Sequence, residues 1–313
     1  MLTYDHISKN KTESWILIFS FLAIISVLGF VFSQAYNAPE ILYFAVGFSV
    51  FTSFISYYFS DSITLALSRA KEVDRQSNQE LYRLVENLCI AAGLPTPKIY
   101  IIDDTAPNAF ATGRDPQHAV VCFTTGILQK LEKTELEGVV AHELSHIGNY
   151  DIRVMTLVVV LVGTVTLLAD WMLRASIFGG RKKSNSEGGG QLQIILIIAG
   201  IVLAILSPII ATLIKLAVSR KREFLADSSA ALLTRYPEGL AKALEKISAD
   251  KEPLEAANKA TAHMYIVNPF HEDIDPSDAL RATSASGRSW LASMFNTHPP
   301  IEERVKRLRE MNL

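Results

Sequence analysis

The chain has 313 residues, of which 49% are hydrophobic and only 20% are charged. This composition excludes a disordered chain and indicates segments buried in a membrane. The 30 basic and 32 acidic side chains give a formal net charge of -2, so nucleic acid is not an expected partner. The two cysteines, Cys89 and Cys122, are too few for a disulfide framework and are expected to be small buried apolar residues.

Four long apolar stretches divide the chain, and three of them carry no charge. An α-helix needs about 20 residues to cross about 30 Å of hydrocarbon, and each stretch has about that length. The stretches are residues 15–33, 41–60, 154–173 and 192–214. The sequence therefore predicts four transmembrane helices, although a buried core helix stays open as an alternative for the third stretch, whose uncharged part is short.

Basic residues near the ends of these stretches predict their orientation. Lys9 and Lys11 precede the first stretch, residues 34–40 carry no lysine or arginine, and the basic run 220–222 follows the fourth. Since basic residues favour the cytosolic side, the N-terminus and the large polar regions are expected in the cytosol. The loop between the third and fourth stretches does not fit this orientation, because it should lie on the other side of the membrane and yet carries four basic residues: Arg174, Arg181, Lys182 and Lys183. Either this loop is translocated despite its charge, which we favour, or these two stretches do not fully cross the membrane.

The chain is expected to alternate membrane hairpins with two polar parts of one domain. The hairpins are residues 1–60 and 154–214, and the polar parts are residues 61–153 and 215–313. In the first polar part, an amphipathic pattern predicts a helix over residues 78–92. Three short β-like runs follow, separated by turn residues, and they predict a small antiparallel sheet: residues 98–102, 109–112 and 118–124.

The segment from residue 134 to residue 151 carries the strongest chemical signal. Thr134 and Glu137 have the spacing of a capping box, so a helix is expected to start there. Within it, His142 and His146 lie four residues apart, so both imidazoles share one helix face and reach one metal ion. Glu143 is placed to take a proton from a water, while a zinc ion acidifies that water and polarises a carbonyl. The pattern predicts one Zn²⁺ per chain, although manganese or another divalent ion would suit the same ligand types.

A catalytic zinc ion needs a third protein ligand. Glu223 and Asp227 also lie four residues apart and share a helix face. One carboxylate can bind the metal, and the other can accept the free N–H of a ligand histidine. Spacing alone leaves an ordinary solvated helix face open as the alternative.

The chain resembles the HtpX-like membrane zinc metalloproteases, which are relatives of the CAAX prenyl proteases and of the gluzincin group. The resemblance is carried by the four apolar stretches and by four motifs in the family's order: PNAFATG at 107–113, AHELSHIGNYD at 141–151, REFLAD at 222–227 and HPPIEER at 298–304. It implies Glu223 as the third zinc ligand and Asp227 as the carboxylate behind a ligand. The implied fold is mainly α, with four transmembrane helices and a zincin-type metalloprotease domain that contains the small antiparallel sheet.

Two further parts of the site are predicted less directly. The PNAFATG segment indicates an edge strand, which can pair with an extended substrate backbone. Its predicted substrate-binding residues are Asn108, Ala109, Phe110 and Ala111, with a plain structural strand as the alternative. By the family resemblance His298 is predicted to be a catalytic residue that stabilises the oxyanion, with a capping or surface histidine as the alternative. Asp151 is expected to cap a helix or to pair structurally.

The motifs predict a zinc hydrolase embedded in a membrane, and the resemblance implies that it is an endopeptidase of protein quality control. His146 lies eight residues before the third stretch and Glu223 nine residues after the fourth, so both are expected within about 15 Å of the membrane face if the helices continue. The resemblance implies cleavage of misfolded or damaged membrane proteins at a cytosolic site of a bacterial inner membrane. The expected partners are membrane-protein or unfolded polypeptide substrates and the lipid bilayer. The alternative function is a membrane scaffold or holdase with a non-catalytic zinc site, against which the intact Glu143 argues.

Overall fold

The first two apolar stretches form a helical hairpin. The computed structural model describes residues 3–179, 220–257, 261–269 and 299–311. Helix α1 covers Thr3–Tyr36 and helix α2 covers Glu40–Leu67. Only three residues join them, and Asn37 has a φ of 50°, a left-handed conformation that helps the chain to reverse. Both helices are long and apolar enough to cross a membrane.

The sheet that follows has four strands in the order β1–β2–β4–β3. They are β1 (Lys71–Glu72), β2 (Lys98–Ile102), β3 (Ala109–Gly113) and β4 (Ala119–Thr124). The predicted amphipathic helix is α3 (Gln79–Ala92), which separates β1 from β2. The short helix α4 (Thr125–Lys130) follows β4.

The sheet is mixed, so the prediction of an antiparallel sheet is wrong. β1 pairs antiparallel with β2 and β3 with β4, but β2 and β4 are parallel. The chain reverses twice between β2 and β4, once on each side of β3, and two reversals restore the original direction. Because β4 inserts between β2 and β3, the prediction that residues 107–113 contain an edge strand is confirmed.

Helix α5 (Lys133–Gly148) carries the two motif histidines and is almost entirely buried. It ends at Gly148, as predicted, but its capping box is formed by Glu132 and Glu135 rather than by Thr134 and Glu137. The Glu135 carboxylate accepts the Glu132 main-chain N–H at 2.8 Å, so the helix begins two residues earlier than expected. The side of α5 that bears Gly138 is pressed against a later helix, since a Cβ at this position would lie 2.7 Å from the main-chain nitrogen of Leu240.

Helix α6 (Asp151–Gly179) contains the third apolar stretch and leaves α5 after only two residues. The two helices meet at a bend of 82°, and together they satisfy the length and composition of one broken membrane span. The first half of α6 packs against α1, where Val158 and Leu161 meet Phe21. The described residues therefore contain two helices that can cross a membrane, or three if this bent pair is one span. The predicted fourth stretch, residues 192–214, lies outside the described residues.

The C-terminal part returns to α5. It contains α7 (Arg220–Thr234), α8 (Pro237–Ala249), a single 3₁₀ turn at Ala262–Met264, and α9 (Ile301–Arg309). Buried side chains from α3, the sheet and α5 join those from α7, α8 and α9 in one hydrophobic core. The two polar parts of the chain thus meet around the motif helix. Cys89 and Cys122 are free and buried, as predicted.

Candidate metal centre

Three buried side chains from two helices converge on one point. His142 and His146 lie one turn apart on α5, and their Nε2 atoms are 3.1 Å apart. Glu223, in the first turn of α7, places Oε1 3.6 Å from His146 Nε2 and Oε2 3.8 Å from His142 Nε2. Among the described residues these three form the one cluster of histidine, cysteine and acidic side chains that can hold a metal ion.

The other ring nitrogens explain why this cluster fits a cation. His142 Nδ1 lies 3.0 Å from Asp227 Oδ1, and His146 Nδ1 lies 3.0 Å from Asp151 Oδ2. Since a carboxylate accepts an N–H, each Nδ1 carries a proton, and each ring in its neutral form presents the lone pair of Nε2 to the cluster. A tetrahedral zinc ion with bonds of about 2.0–2.1 Å separates its ligand atoms by about 3.3 Å. The two Nε2 atoms are 3.1 Å apart, and they lie 3.6 and 3.8 Å from the Glu223 oxygens. These separations bracket that value, so the residues fit a divalent ion.

Burial and the neighbouring carboxylates together set the pKa values of the buried groups. Burial raises the pKa of the Glu143 carboxyl to about 7, although His146 and Arg304 act in the opposite direction. Burial alone would lower the pKa of His146, but Asp151 and Glu223 outweigh it and raise the value to about 9. Burial prevails at His142 and lowers its pKa. The carboxylates that favour a proton on His146 would equally favour a divalent cation beside it.

Arg304 is a part of the site to which the sequence assigned no role. Its side chain is fully buried on α9, and two of its nitrogens donate to the Asp227 carboxylate at 2.7 and 2.9 Å. A third donates to the Ile266 carbonyl at 3.1 Å and lies 3.5 Å from Glu223. Burial would raise the pKa of Asp227, but Arg304 and His142 outweigh it and hold the value at about 2. A signal was available, because Arg304 lies on the apolar face of α9 beside Val305.

Asp151 pairs with His146, so the prediction that it pairs structurally is confirmed. It is the first residue of α6, five residues after the histidine that it contacts. Its other oxygen accepts a hydrogen bond from Asn10 of α1 at 2.7 Å and lies 3.4 Å from Arg222 Nε. The second ligand histidine is therefore held by the joint between α5 and the third apolar stretch.

The predicted substrate-binding strand lies beside the motif helix. The main chain of Ala111 acts to lower the pKa of the Glu143 carboxyl, against the effect of burial. The Asn108 amide donates to the Val267 carbonyl at 3.0 Å, and the Ala109 carbonyl accepts from the main-chain N–H of Ile266 at 3.0 Å. The Phe110 ring stacks edge-on against Tyr265, 5.1 Å between centroids. Within this segment the main chain of Ala111 is thus directed toward Glu143, while the side chains of Asn108 and Phe110 contact residues 265–267.

The predicted catalytic residue His298 lies outside the described residues and stays a prediction. In the sequence His298 is followed by Pro299 and Pro300, and these two prolines directly precede α9, the helix that carries Arg304.

Comparison with known proteins agrees with this geometry. The sequence model of peptidase family M48 matches residues 75–312 of this chain. The chain is 43% identical over 309 residues to a protease HtpX homolog of Dictyoglomus turgidum, covering 98% of this chain and 94% of that protein. It is 40% identical over 313 residues to a protease HtpX homolog of Tropheryma whipplei, covering 99% of each. It is 42% identical over 299 residues to one of Thermococcus kodakarensis, covering 95% of this chain and 96% of that protein.

The fold is similar to that of a solved structure, S. mikatae Ste24p, with a TM-score of 0.50 and 18% sequence identity. The similarity covers 97% of this chain and 67% of that chain. The apolar helices, the His–His–Glu cluster and these relatives define a membrane metalloprotease. The chain belongs to peptidase family M48, and the resemblance read from its motifs is confirmed.

Removing the Arg304 guanidinium should destabilise the domain, because it leaves the Asp227 carboxylate buried without its bidentate partner. We expect Arg304→Gln to lower the free energy of unfolding by about 3–5 kcal/mol, the usual cost of breaking a buried ion pair from one side. Thermal unfolding of metal-free protein in detergent measures this effect apart from metal binding.

The matched control is Lys306→Gln, two residues along the same helix, where 75% of the side chain is exposed. This substitution should change the free energy of unfolding by less than about 0.5 kcal/mol. Equal unfolding midpoints for the two variants would contradict the role of Arg304.

Proposed function

We propose that the protein is a zinc-dependent endopeptidase that hydrolyses peptide bonds of misfolded or damaged membrane proteins at a cytosolic site close to the bilayer. One observation carries the proposal. Two imidazole nitrogens and the Glu223 carboxylate converge beside the buried Glu143, within a few residues of the start of an apolar helix.

His142, His146 and Glu223 would hold one Zn²⁺ per chain. Three protein ligands leave the fourth tetrahedral position open, which distinguishes a catalytic zinc site from a structural one. When bound, zinc supplies polarisation of the scissile carbonyl and acidification of a water. Asp227 and Asp151 fix the tautomer and the ring orientation of the two histidines through their Nδ1 atoms. The nitrogen and oxygen ligands also suit manganese, which metal analysis of the purified protein distinguishes.

Glu143 is the proposed general base. It follows His142 directly on α5, and its carboxyl lies close enough to the main chain of Ala111 on β3 for that main chain to lower its pKa. In this position it can accept a proton from the attacking water as the water oxygen bonds to the scissile carbonyl carbon. It then returns the proton to the amide nitrogen as the C–N bond breaks, so that the amine leaves neutral.

An extended substrate is proposed to lie along β3, the edge strand beside Glu143. A substrate that pairs with an edge strand is recognised through its main chain, which suits an enzyme with unrelated unfolded substrates. Asn108, Ala109, Phe110 and Ala111 form the proposed binding segment. The contacts of Asn108 with Val267 and of Ala109 with Ile266 occupy one end of this segment, so we expect pairing to begin near Ala111.

The joint between α5 and α6 supports a position near the membrane. Helix α5, which carries the metal-binding pair, is joined by a two-residue link to α6, which contains the third apolar stretch, and Asn10 of α1 contacts the same link. Lys9, Lys11 and Arg153 lie at this end of the apolar helices, which favours the cytosolic side of a bacterial inner membrane. There the site can receive loops or extracted segments of membrane proteins.

Replacing Glu143 by glutamine tests the base directly. The Glu143→Gln variant keeps the three metal ligands, so we expect wild-type zinc content and a loss of proteolysis of about 10²- to 10⁴-fold. Casein digestion by detergent-purified protein, with and without chelator, measures the activity, and elemental analysis measures the zinc.

Glu137→Gln, on the same helix, serves as the control and should retain activity. Turnover by Glu143→Gln at the wild-type rate would remove Glu143 from this role. Zinc-loaded wild-type protein that digests nothing would instead favour the alternative function, a membrane scaffold or holdase with a non-catalytic zinc site.

The proposed orientation can be measured by cysteine labelling, because Cys89 and Cys122 are buried and should react little. Lys251→Cys places an exposed thiol on the polar domain. Glu40→Cys places one at the start of α2, beside the connection between α1 and α2, which is the end of the hairpin away from the metal centre. A membrane-impermeant maleimide should label the first variant only in inverted vesicles and the second only in intact spheroplasts. The opposite pattern would place the site outside the cytosol.

A further inference from the structure

A polar side chain of the first apolar helix is buried against the metal centre. Asn10 lies near the start of α1 and is only 3% exposed. Its side-chain amide donates two hydrogen bonds, one to the Asn149 carbonyl at 2.8 Å and one to Asp151 Oδ1 at 2.7 Å. Both acceptors belong to the joint between α5 and α6. A buried amide that satisfies both a carbonyl and a carboxylate fixes the position of that joint.

The Asp151 carboxylate passes this constraint to a metal ligand. Oδ1 accepts from Asn10, and Oδ2 lies 3.0 Å from His146 Nδ1. A carboxylate that is held through one oxygen cannot rotate freely about the other, so the Asn10 bond restricts the orientation of the His146 ring. Three side chains thus form a continuous hydrogen-bonded chain, from α1 to the Nε2 atom that faces the cluster.

A second contact from the same helix reaches the other ligand-bearing segment. Glu13, about one turn after Asn10, forms an ion pair with Arg222 of α7. Arg222 immediately precedes the ligand Glu223, and its Nε lies 3.4 Å from Asp151 Oδ1. Helix α1 therefore contacts both chain segments that supply the ligands, although these segments are far apart in the sequence.

We propose that Asn10 is a positioning residue for the metal centre and acts on His146 through Asp151. In this way the first apolar helix sets the geometry of the site. The inference rests on the proposed zinc-binding function. Partners that contact a ligand directly usually change metal affinity by about 10- to 100-fold, and Asn10 lies one contact further away. We therefore expect a smaller effect, a zinc dissociation constant raised about 3- to 10-fold.

Zinc affinity of the full-length protein in detergent, measured by competition with a chromophoric chelator, tests this expectation without relying on proteolysis. Asn10→Ala removes the amide, and Asn10→Leu removes it while keeping the volume, so a loss shared by both variants reports the hydrogen bonds. Thr12→Ala is the control, since Thr12 is exposed on the same helix and its hydroxyl donates to Ser8 within that helix. The cobalt-substituted proteins should show an altered visible spectrum only for the Asn10 variants.

A double-mutant cycle tests the route through Asp151. If Asn10 acts through that carboxylate, Asn10→Ala should have no further effect on zinc affinity in the Asp151→Ala protein. Three outcomes would each overturn the inference without touching the proposed function. The losses of zinc affinity could be additive, or binding could weaken in Asn10→Ala but not in Asn10→Leu. The third outcome is that both Asn10 variants bind zinc as the wild type does. A wild-type chain that binds no zinc would overturn the proposed function together with it.

Discussion

The site depends on two imidazole nitrogens that face each other at 3.1 Å inside the protein. Each ring is oriented by a carboxylate on its far nitrogen, so the two near nitrogens are left to share a proton or to bind a metal ion together. The charge of the surrounding side chains also favours a cation between the two nitrogens. Buried carboxylates in and beside the cluster outnumber buried guanidiniums, which favours a divalent ion: Asp151, Glu143, Glu223 and Asp227 against Arg222 and Arg304.

This charged cluster is held by packing that comes from distant parts of the chain. Helix α5 lies in the centre of the hydrophobic core, with the sheet and helices α7 and α8 around it. Arg304 of α9 fixes Asp227, and Asn10 of α1 fixes Asp151. Each ligand histidine is thus oriented by a carboxylate that is itself held by a different helix. Support of this kind from the residues behind the ligands fixes the positions of the ligand atoms.

The sequence predicted the features that depend on local spacing. His142, His146 and Glu143 share one helix because they lie within five residues, and the first two apolar helices follow from composition alone. The pairing of β4 with β2 was not predicted, because turn residues indicate a reversal but not which strand becomes the neighbour. The start of α5 was displaced by two residues because two capping patterns overlap, and Glu132 prevailed over Thr134.

The supporting contacts could not be derived from spacing. Arg304 reaches Asp227 across 77 residues, and Asn10 reaches Asp151 across 141. Such pairs exist only after the helices have packed, and a lone buried arginine or asparagine in the sequence does not identify its partner. Glu223, the predicted third ligand, is also far from the histidines in the sequence. Its spacing from Asp227 made both carboxylates candidates, and the family resemblance selected Glu223.

X-ray absorption at the zinc edge, on protein purified in detergent, tests the central claim most directly. The account predicts one zinc per chain, with two imidazole nitrogens and carboxylate oxygen at about 2.0–2.1 Å, and loss of that signal in Glu223→Ala. A chain without stoichiometric zinc, or a spectrum with sulfur ligands at about 2.3 Å, would contradict it.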